Sequence, residues 1–227
     1  MIQSLKNLTR NFLGLWWQST CSQEGEDLVL AKIFNARKSG FYVDVGAHHP
    51  MRFSNTYKFY KRGWRGINIE PNPEVIGLFK KFRSRDINLN IGIGKKPSTL
   101  LYYMFNESAL NTFDEALAQK RLESIQYRLK ETRHVPIERL DQVLARYKNE
   151  FTQIDFMTID VEGLDFEVLK SNDWVAYRPN WVLVEQLGLS DLSNMDFEIH
   201  HFMKEKGYVL FAKTFNTLFY KNNDKSI

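Results

Sequence analysis

Short apolar runs separated by amphipathic stretches recur along the 227-residue chain. Residues 41–45 (FYVDV) and 66–69 carry apolar side chains at successive positions, the pattern of parallel strands covered on both faces. Between them Phe53, Tyr57 and Tyr60, with Lys58, Lys61 and Arg62, predict a short amphipathic helix stopped by Gly63. Residues 22–37 predict a helix capped by Ser22, with acids in its first turn and Leu28, Leu30, Ile33 and Phe34 toward a sheet. A second crossover helix is expected over 73–82, with Pro73 in its first turn. Residues 87–93 alternate strictly and predict one third strand. Further on, 140–147 predict a helix, 154–160 a fourth core strand, 164–169 a helix start and 181–185 a fifth strand. A helix over 197–206 ends at Gly207, and 208–212 with 217–220 form a closing hairpin. The expected fold class is α/β: a seven-stranded, mostly parallel sheet with a C-terminal antiparallel hairpin and helices on both faces.

Two stretches stand apart from this alternation. Residues 97–137 are irregular, with a strand expected at 100–105, a short one at 135–137, and a mixed-charge segment between that is helical in its second half. An insertion at this point of a doubly wound sheet overhangs the ligand face, so it reads as a substrate lid. At the N-terminus Ile2, Leu5, Leu8, Phe12, Leu15 and Trp16 recur at helical spacing, with Lys6 and Arg10 off the stripe. Residues 1–20 are therefore expected to be an amphipathic helix ahead of a single domain at 21–227. That helix packs on the domain or on a second subunit, or lies at a membrane surface through Trp16 and Trp17. No run approaches the roughly 20 apolar residues of a membrane span, and no small-residue cleavage site follows the first apolar run.

Gly40-Phe41-Tyr42-Val43-Asp44-Val45-Gly46-Ala47-His48-His49-Pro50 reads as a buried strand and a tight turn whose glycine admits a ligand near the backbone. The next strand ends in Glu70, 26 residues after Asp44 (70 − 44), a spacing that suits a ribose-clamping acid. A dinucleotide fingerprint starting at Gly46 would need glycine at positions 48 and 51, which hold His48 and Met51. A ligand with a ribose but no pyrophosphate demands less of this loop, and S-adenosylmethionine is such a ligand.

Ser22-Gln23-Glu24-Gly25-Glu26-Asp27, Val43-Asp44-Val45-Gly46-Ala47, Ser54-Asn55-Thr56, Gly63-Trp64-Arg65-Gly66, Ile69-Glu70-Pro71 and Asp160-Val161-Glu162-Gly163 together resemble the FkbM family of S-adenosylmethionine-dependent methyltransferases. The resemblance runs in the family's order from about residue 21 to about 220. It implies a Rossmann-like class I methyltransferase fold, with S-adenosylmethionine as cofactor and S-adenosylhomocysteine as product. The cofactor-binding residues it implies are Asp44, Gly46, Ala47, His48, Ser54, Asn55, Thr56, Glu70, Pro71, Asn72, Gly92, Ile93 and Asp160, with Gly92 and Ile93 beside the adenine. It also brings the segment from Gln23 to Asp27 near the cofactor or acceptor. His48 and Pro50 stand where the wider methyltransferase loop has its later glycines.

If the methyl acceptor is a hydroxyl, a base must take its proton. Asp160 and Glu162, two apart at a strand end, share a face and are the first candidates, with His48 or His49 across the site as the second. The alternative is that Glu162 caps the next helix while Asp160 meets the cofactor's amino group. Zinc is not expected, because there is no cysteine cluster and His200 and His201 diverge on a helix. No metal is assigned, although a divalent ion on Asp160, Glu162 and Glu185 is an alternative. The net charge of +4 and pI near 9.0 are mildly basic, and Lys and Arg are dispersed apart from five between Lys120 and Arg133. That stretch reads as a solvated helix face, so nucleic acid is not an expected partner. A lone Cys21 suits a reducing compartment, hence a cytoplasmic location, peripheral at the inner membrane face if residues 1–20 bind lipid. The expected function is O-methylation of a sugar or glycan hydroxyl. The rivals are a catalytically silent binding module in a glycan-assembly complex and a nicotinamide-dependent oxidoreductase.

Overall fold

A strand covered on both faces can satisfy its backbone N–H and C=O groups only by lying between neighbouring strands. The computed structural model describes residues 18–35, 37–188, 192–193 and 195–224; the apolar stripe of residues 1–17, and with it most of the helix expected over 1–20, lies outside the described residues. In chain order α1 (Glu26–Ile33) leads to β1 (Phe41–Val45), α2 (Tyr57–Lys61), β2 (Arg65–Ile69), α3 (Pro73–Phe82) and β3 (Ile87–Leu89). Then follow β4 (Gly92–Ile93), β5 (Ser98–Phe105), a 3-10 turn at Ser108–Leu110, α4 (Glu115–Leu122) and β6 (Leu129–Glu138). The remaining elements are α5 (Leu140–Arg146), β7 (Phe156–Ile159), α6 (Asp165–Lys170), β8 (Trp181–Glu185), α7 (Glu198–Glu205), β9 (Tyr208–Lys213) and β10 (Thr217–Asn222).

Seven strands form one sheet in the order β3-β2-β1-β7-β8-β10-β9. β1 pairs in parallel with β2 and β7, β2 with β3, and β7 with β8. β10 is antiparallel to both β8 and β9, which is the closing hairpin the sequence predicts. The connections leave β1 toward β2 on one side and return to β7 on the other, so a crevice opens at the carboxyl ends of these strands. The period of two sorts the core: Phe41, Val43 and Val45 pack with Leu140, Val143, Val168, Ile199 and Met203. Tyr42 packs on the opposite face with Leu30, Phe34, Phe59 and Trp64. Helices α5, α6 and α7 thus cover one face, and α1 and α2 the other.

Helix α1 starts at Glu26 and not at Ser22, because Ser22 is drawn into a knot around Asp27. The Asp27 carboxylate accepts from Thr20 Oγ1 at 2.7 Å, the Cys21 N–H at 2.8 Å and Ser22 Oγ at 3.2 Å. Gly25, at φ 88°, then turns the chain into the helix. The single strand expected over 87–93 divides after Leu89. Its first part joins β2, and its second part, β4, crosses to β6 in a separate three-stranded sheet of order β4-β6-β5. Strict alternation cannot reveal the break, since both pieces pack apolar side chains against the same core. The insertion is also more regular than its composition suggests. β5 and β6 pair antiparallel along nearly their whole lengths, and β6 begins where the sequence predicts helix.

Candidate functional site

The carboxyl ends of β1, β2 and β7 open into a cavity, walled on one side by β4 and the β5–β6 insertion. Gly46 ends β1 at φ 82°, and a Cβ there would sit 1.7 Å from the Asp160 carbonyl oxygen. Its glycine is therefore demanded already by the close approach of the β1 and β7 ends. The Gly46 and Ala47 N–H groups donate to the Ile69 carbonyl at 3.0 and 3.1 Å, stitching the loop to β2.

His48 follows in the left-handed region, at φ 53°. Its N–H donates to Glu70 Oε2 at 2.8 Å, and its Nε2 is buried without a hydrogen-bond partner. Burial first, with the charge of Arg52 second, pushes the imidazole down to about 4, so it is neutral at pH 7. Glu70 is 4% exposed and bridges two loops, since Oε1 accepts the Asn72 N–H at 2.7 Å. Burial raises its carboxyl to about 8 against the opposing pull of those two N–H donors.

Asp44, Gly46, Ala47, His48, Asn55, Glu70, Pro71, Gly92, Ile93, Asp160 and Glu162 all line the cavity, as does Gln23. Ser54, Thr56 and Asn72, expected among the cofactor-binding residues, stand behind the wall instead. Ser54 Oγ accepts the Tyr57 N–H at 3.1 Å, and Thr56 Oγ1 donates to Asp44 Oδ2 at 2.7 Å. Asn72 Oδ1 caps α3 by accepting the Glu74 N–H at 2.9 Å. The Ser54 and Asn72 side chains turn to local backbone donors at helix starts, and the Thr56 hydroxyl turns to Asp44, which commits all three away from the cavity.

Opposite Glu70 lies an acidic rim. β7 ends at Ile159, so strand alternation does not explain why Asp160 and Glu162 meet. A turn does: Glu162 has φ 56° and Gly163 φ 107°, and Asp165 accepts the Val161 and Gly163 N–H groups at 3.0 and 3.2 Å. Asp160, Glu162 and Glu185 each bring a carboxylate oxygen within 4.8 Å of the others, an arrangement that can hold a cation. Arg121 from α4 already pairs with Glu162 and also bonds the Leu110 carbonyl. Burial and then Glu185 and Glu162 raise Asp160 well above the usual carboxylate range, and burial and Glu162 push Glu185 to about 8. Burial raises Glu162 too, against the opposing charge of Arg121.

The insertion supplies wall residues that sequence reasoning did not reach: Tyr102, Ser108, Asn111 and Phe113. Gly92 is wedged beneath them, where a Cβ would fall 2.5 Å from Ile137 Cδ1 and 2.8 Å from the Phe113 ring. Neither periodicity nor a motif marks these positions. Only the second sheet brings them to the cavity.

Comparison with known proteins adds three findings. The Methyltransferase FkbM domain model matches residues 44–210. A solved structure of methyltransferase FkbM from Methylobacillus flagellatus KT is 15% identical, with a TM-score of 0.48 over 81% of this chain; the match spans 44% of that chain. None of the curated proteins matches.

Proposed function

The chain belongs to the FkbM methyltransferase family, and from that premise we propose that it moves a methyl group from S-adenosylmethionine to a hydroxyl of a sugar or glycan. The observation that carries this reading is the division of the cavity. One side has the Glu70 carboxylate at the end of β2 and an apolar wall of Ile91, Ile93, Tyr102 and Phe113. The other has the Asp160 and Glu162 carboxylates after β7. A carboxylate oxygen accepts more than one hydrogen bond, so Glu70 can receive ribose hydroxyls while keeping its backbone donors. The apolar wall suits a flat adenine, and the unpartnered Nε2 of His48 leaves one polar atom of the loop uncommitted. Asp44, raised by burial only to about 6, offers negative charge to the cofactor's ammonium group at neutral pH. The residues thus fit S-adenosylmethionine, whereas the side chain of His48 stands where a pyrophosphate would need glycine.

When bound, the cofactor supplies a methyl already activated on a sulfonium, so the chain's task is to orient the acceptor and accept its proton. Burial and mutual repulsion keep Asp160, Glu162 and Glu185 from all being charged near neutrality. A carboxylate raised in this way is a better base than in water. With Glu162 held by Arg121, Asp160 is the stronger candidate of the pair. His48, pushed down to about 4, is a weak base and stands second. The glycan acceptor rests on the family's association with sugar hydroxyls. A cytoplasmic setting is part of this reading, since the lone Cys21 suits a reducing compartment; no helix among the described residues is long and apolar enough to cross a membrane.

Calorimetry should show S-adenosylhomocysteine binding and NAD failing to bind. Mass spectrometry of cell-surface glycans, with and without the protein, should then differ by the mass of a methyl group. Asp160→Asn should lower turnover by roughly 10²–10⁴-fold while leaving cofactor affinity nearly unchanged. Tight NAD binding without any response to S-adenosylhomocysteine would end this reading.

A further inference from the structure

Arg83 caps the carboxyl end of α3, is 0% exposed, and lines no part of the cavity. All three of its nitrogens are used. Nε donates to Asp86 Oδ2 at 2.9 Å, and Nη2 to Tyr42 OH at 2.8 Å and Thr56 Oγ1 at 2.9 Å. Nη1 donates to the Pro50 carbonyl at 3.0 Å. Thr56 Oγ1 in turn donates to Asp44 Oδ2 at 2.7 Å. Asp86 is itself saturated, accepting from Tyr42 OH, the Gly66 N–H and Asn68 Nδ2.

A guanidinium at this depth is tolerated only when its donors find acceptors. A structural ion pair with Asp86 accounts for Nε alone. The acceptors of Nη1 and Nη2 include Pro50 and Thr56, which flank the loop carrying Asn55 and follow the turn carrying His48. We propose that Arg83 is a positioning residue of the cofactor site: it clamps the 47–56 loop onto β1 and, through Thr56, orients Asp44 toward the cavity. The proposal rests on the methyltransferase reading above.

The electrostatics point the same way. Burial raises Asp44 to about 6, while Thr56 and Arg83 oppose that rise and Asp86 adds to it. The groups facing Asp44 are Thr56 from the start of α2, Arg83 from the end of α3, Asp86 before β3 and Glu70 at the end of β2. Asn68 and Thr158 are its uncharged register partners on β2 and β7. Removing the charge of Arg83, or the Thr56 hydroxyl, takes away a contribution that lowers the Asp44 pKa. Asp44 then protonates at higher pH in either variant.

The test measures S-adenosylhomocysteine affinity against pH by calorimetry for the wild type, Arg83→Met and Thr56→Val, with thermal melts alongside. In the wild type, affinity should fall below about pH 6. In both variants it should drop by roughly ten- to a hundredfold at neutral pH, since hydrogen bonds to charged groups are lost. The acid limb should move to higher pH. A merely structural arginine would lower the melting temperature without moving that limb. If Arg83→Met does not fold, Thr56→Val decides, because it deletes one hydroxyl and keeps the volume. A folded variant with unchanged affinity and an unmoved acid limb overturns the proposal. Failure of the wild type itself to bind the probe would instead bring down the methyltransferase reading, and this inference with it.

Discussion

Glu70 is held partly protonated near neutrality by its own burial, at about 8. Hydroxyls donating to it would favour the charged form and lower that value. Binding of S-adenosylhomocysteine at about pH 7.5 should therefore release part of a proton. The calorimetric heat would then vary with the ionisation enthalpy of the buffer, and identical heats in all buffers would mean that no ribose meets this carboxylate. Gly46 makes a second test at the same scale. A Cβ there meets the Asp160 carbonyl at 1.7 Å with φ at 82°. Gly46→Ala should cost about 2–4 kcal/mol in urea unfolding, from left-handed strain and overpacking together. A cost within a few tenths of a kcal/mol would show that β1 and β7 separate easily.

The insertion between β4 and α5 is the element that gives this fold its own character. Its tie to the acidic rim is the ion pair of Arg121 with Glu162, reinforced by the Leu110 carbonyl. Arg121→Ala should speed amide exchange in the 3-10 turn and α4, and reduce stability by about 1–3 kcal/mol. The loss stays moderate because Glu162, freed of its cation, rises further and takes up a proton. Exchange that accelerates equally in β7 and β8 would contradict a local latch. The N-terminal motif works as an element too. Glu24 accepts from the Asn216 N–H at 2.7 Å and from Thr214 Oγ1 at 2.9 Å, and Glu26 from Thr217 Oγ1 at 3.1 Å. These acids fasten the segment to the β9–β10 turn, which leaves Gln23 at the cavity. The sequence marked the motif, but only the hairpin's position shows that its acids are anchors.

For the whole molecule the raised carboxyls set a pH dependence of stability. Glu70 and Glu185 titrate at about 8 when folded, so between about pH 4.3 and 8 the folded chain binds more protons than the unfolded one. Their contribution is present at low pH and is lost as pH rises. His48 has the opposite sign. It is neutral when folded down to about 4, so its penalty shrinks as pH climbs to about 6.5 and is silent beyond. The melting temperature of the ligand-free protein should accordingly fall between about pH 6.5 and 8, with a change of a few kcal/mol at most. A flat or rising profile in that window would mean that these carboxyls are hydrated.

What the sequence determined by itself was the order of the core. Apolar runs of strand length, separated by amphipathic stretches, fix which segments become strands and helices and where ligand-bearing turns fall, because burial acts along the chain at periods of 2 and 3.6. Strand β8 over Trp181–Glu185, the closing hairpin and the carboxylates at the strand ends were all legible there. What only the tertiary structure decided depends on groups far apart in sequence. It split the strand expected over 87–93 between two sheets, built the cavity wall from the insertion, and turned Ser54, Thr56 and Asn72 away from the cavity. It also placed Arg83 beneath the 47–56 loop. Hydrogen bonds and buried charges choose their partners by proximity in space, and no local pattern of hydrophobic and polar residues encodes that choice.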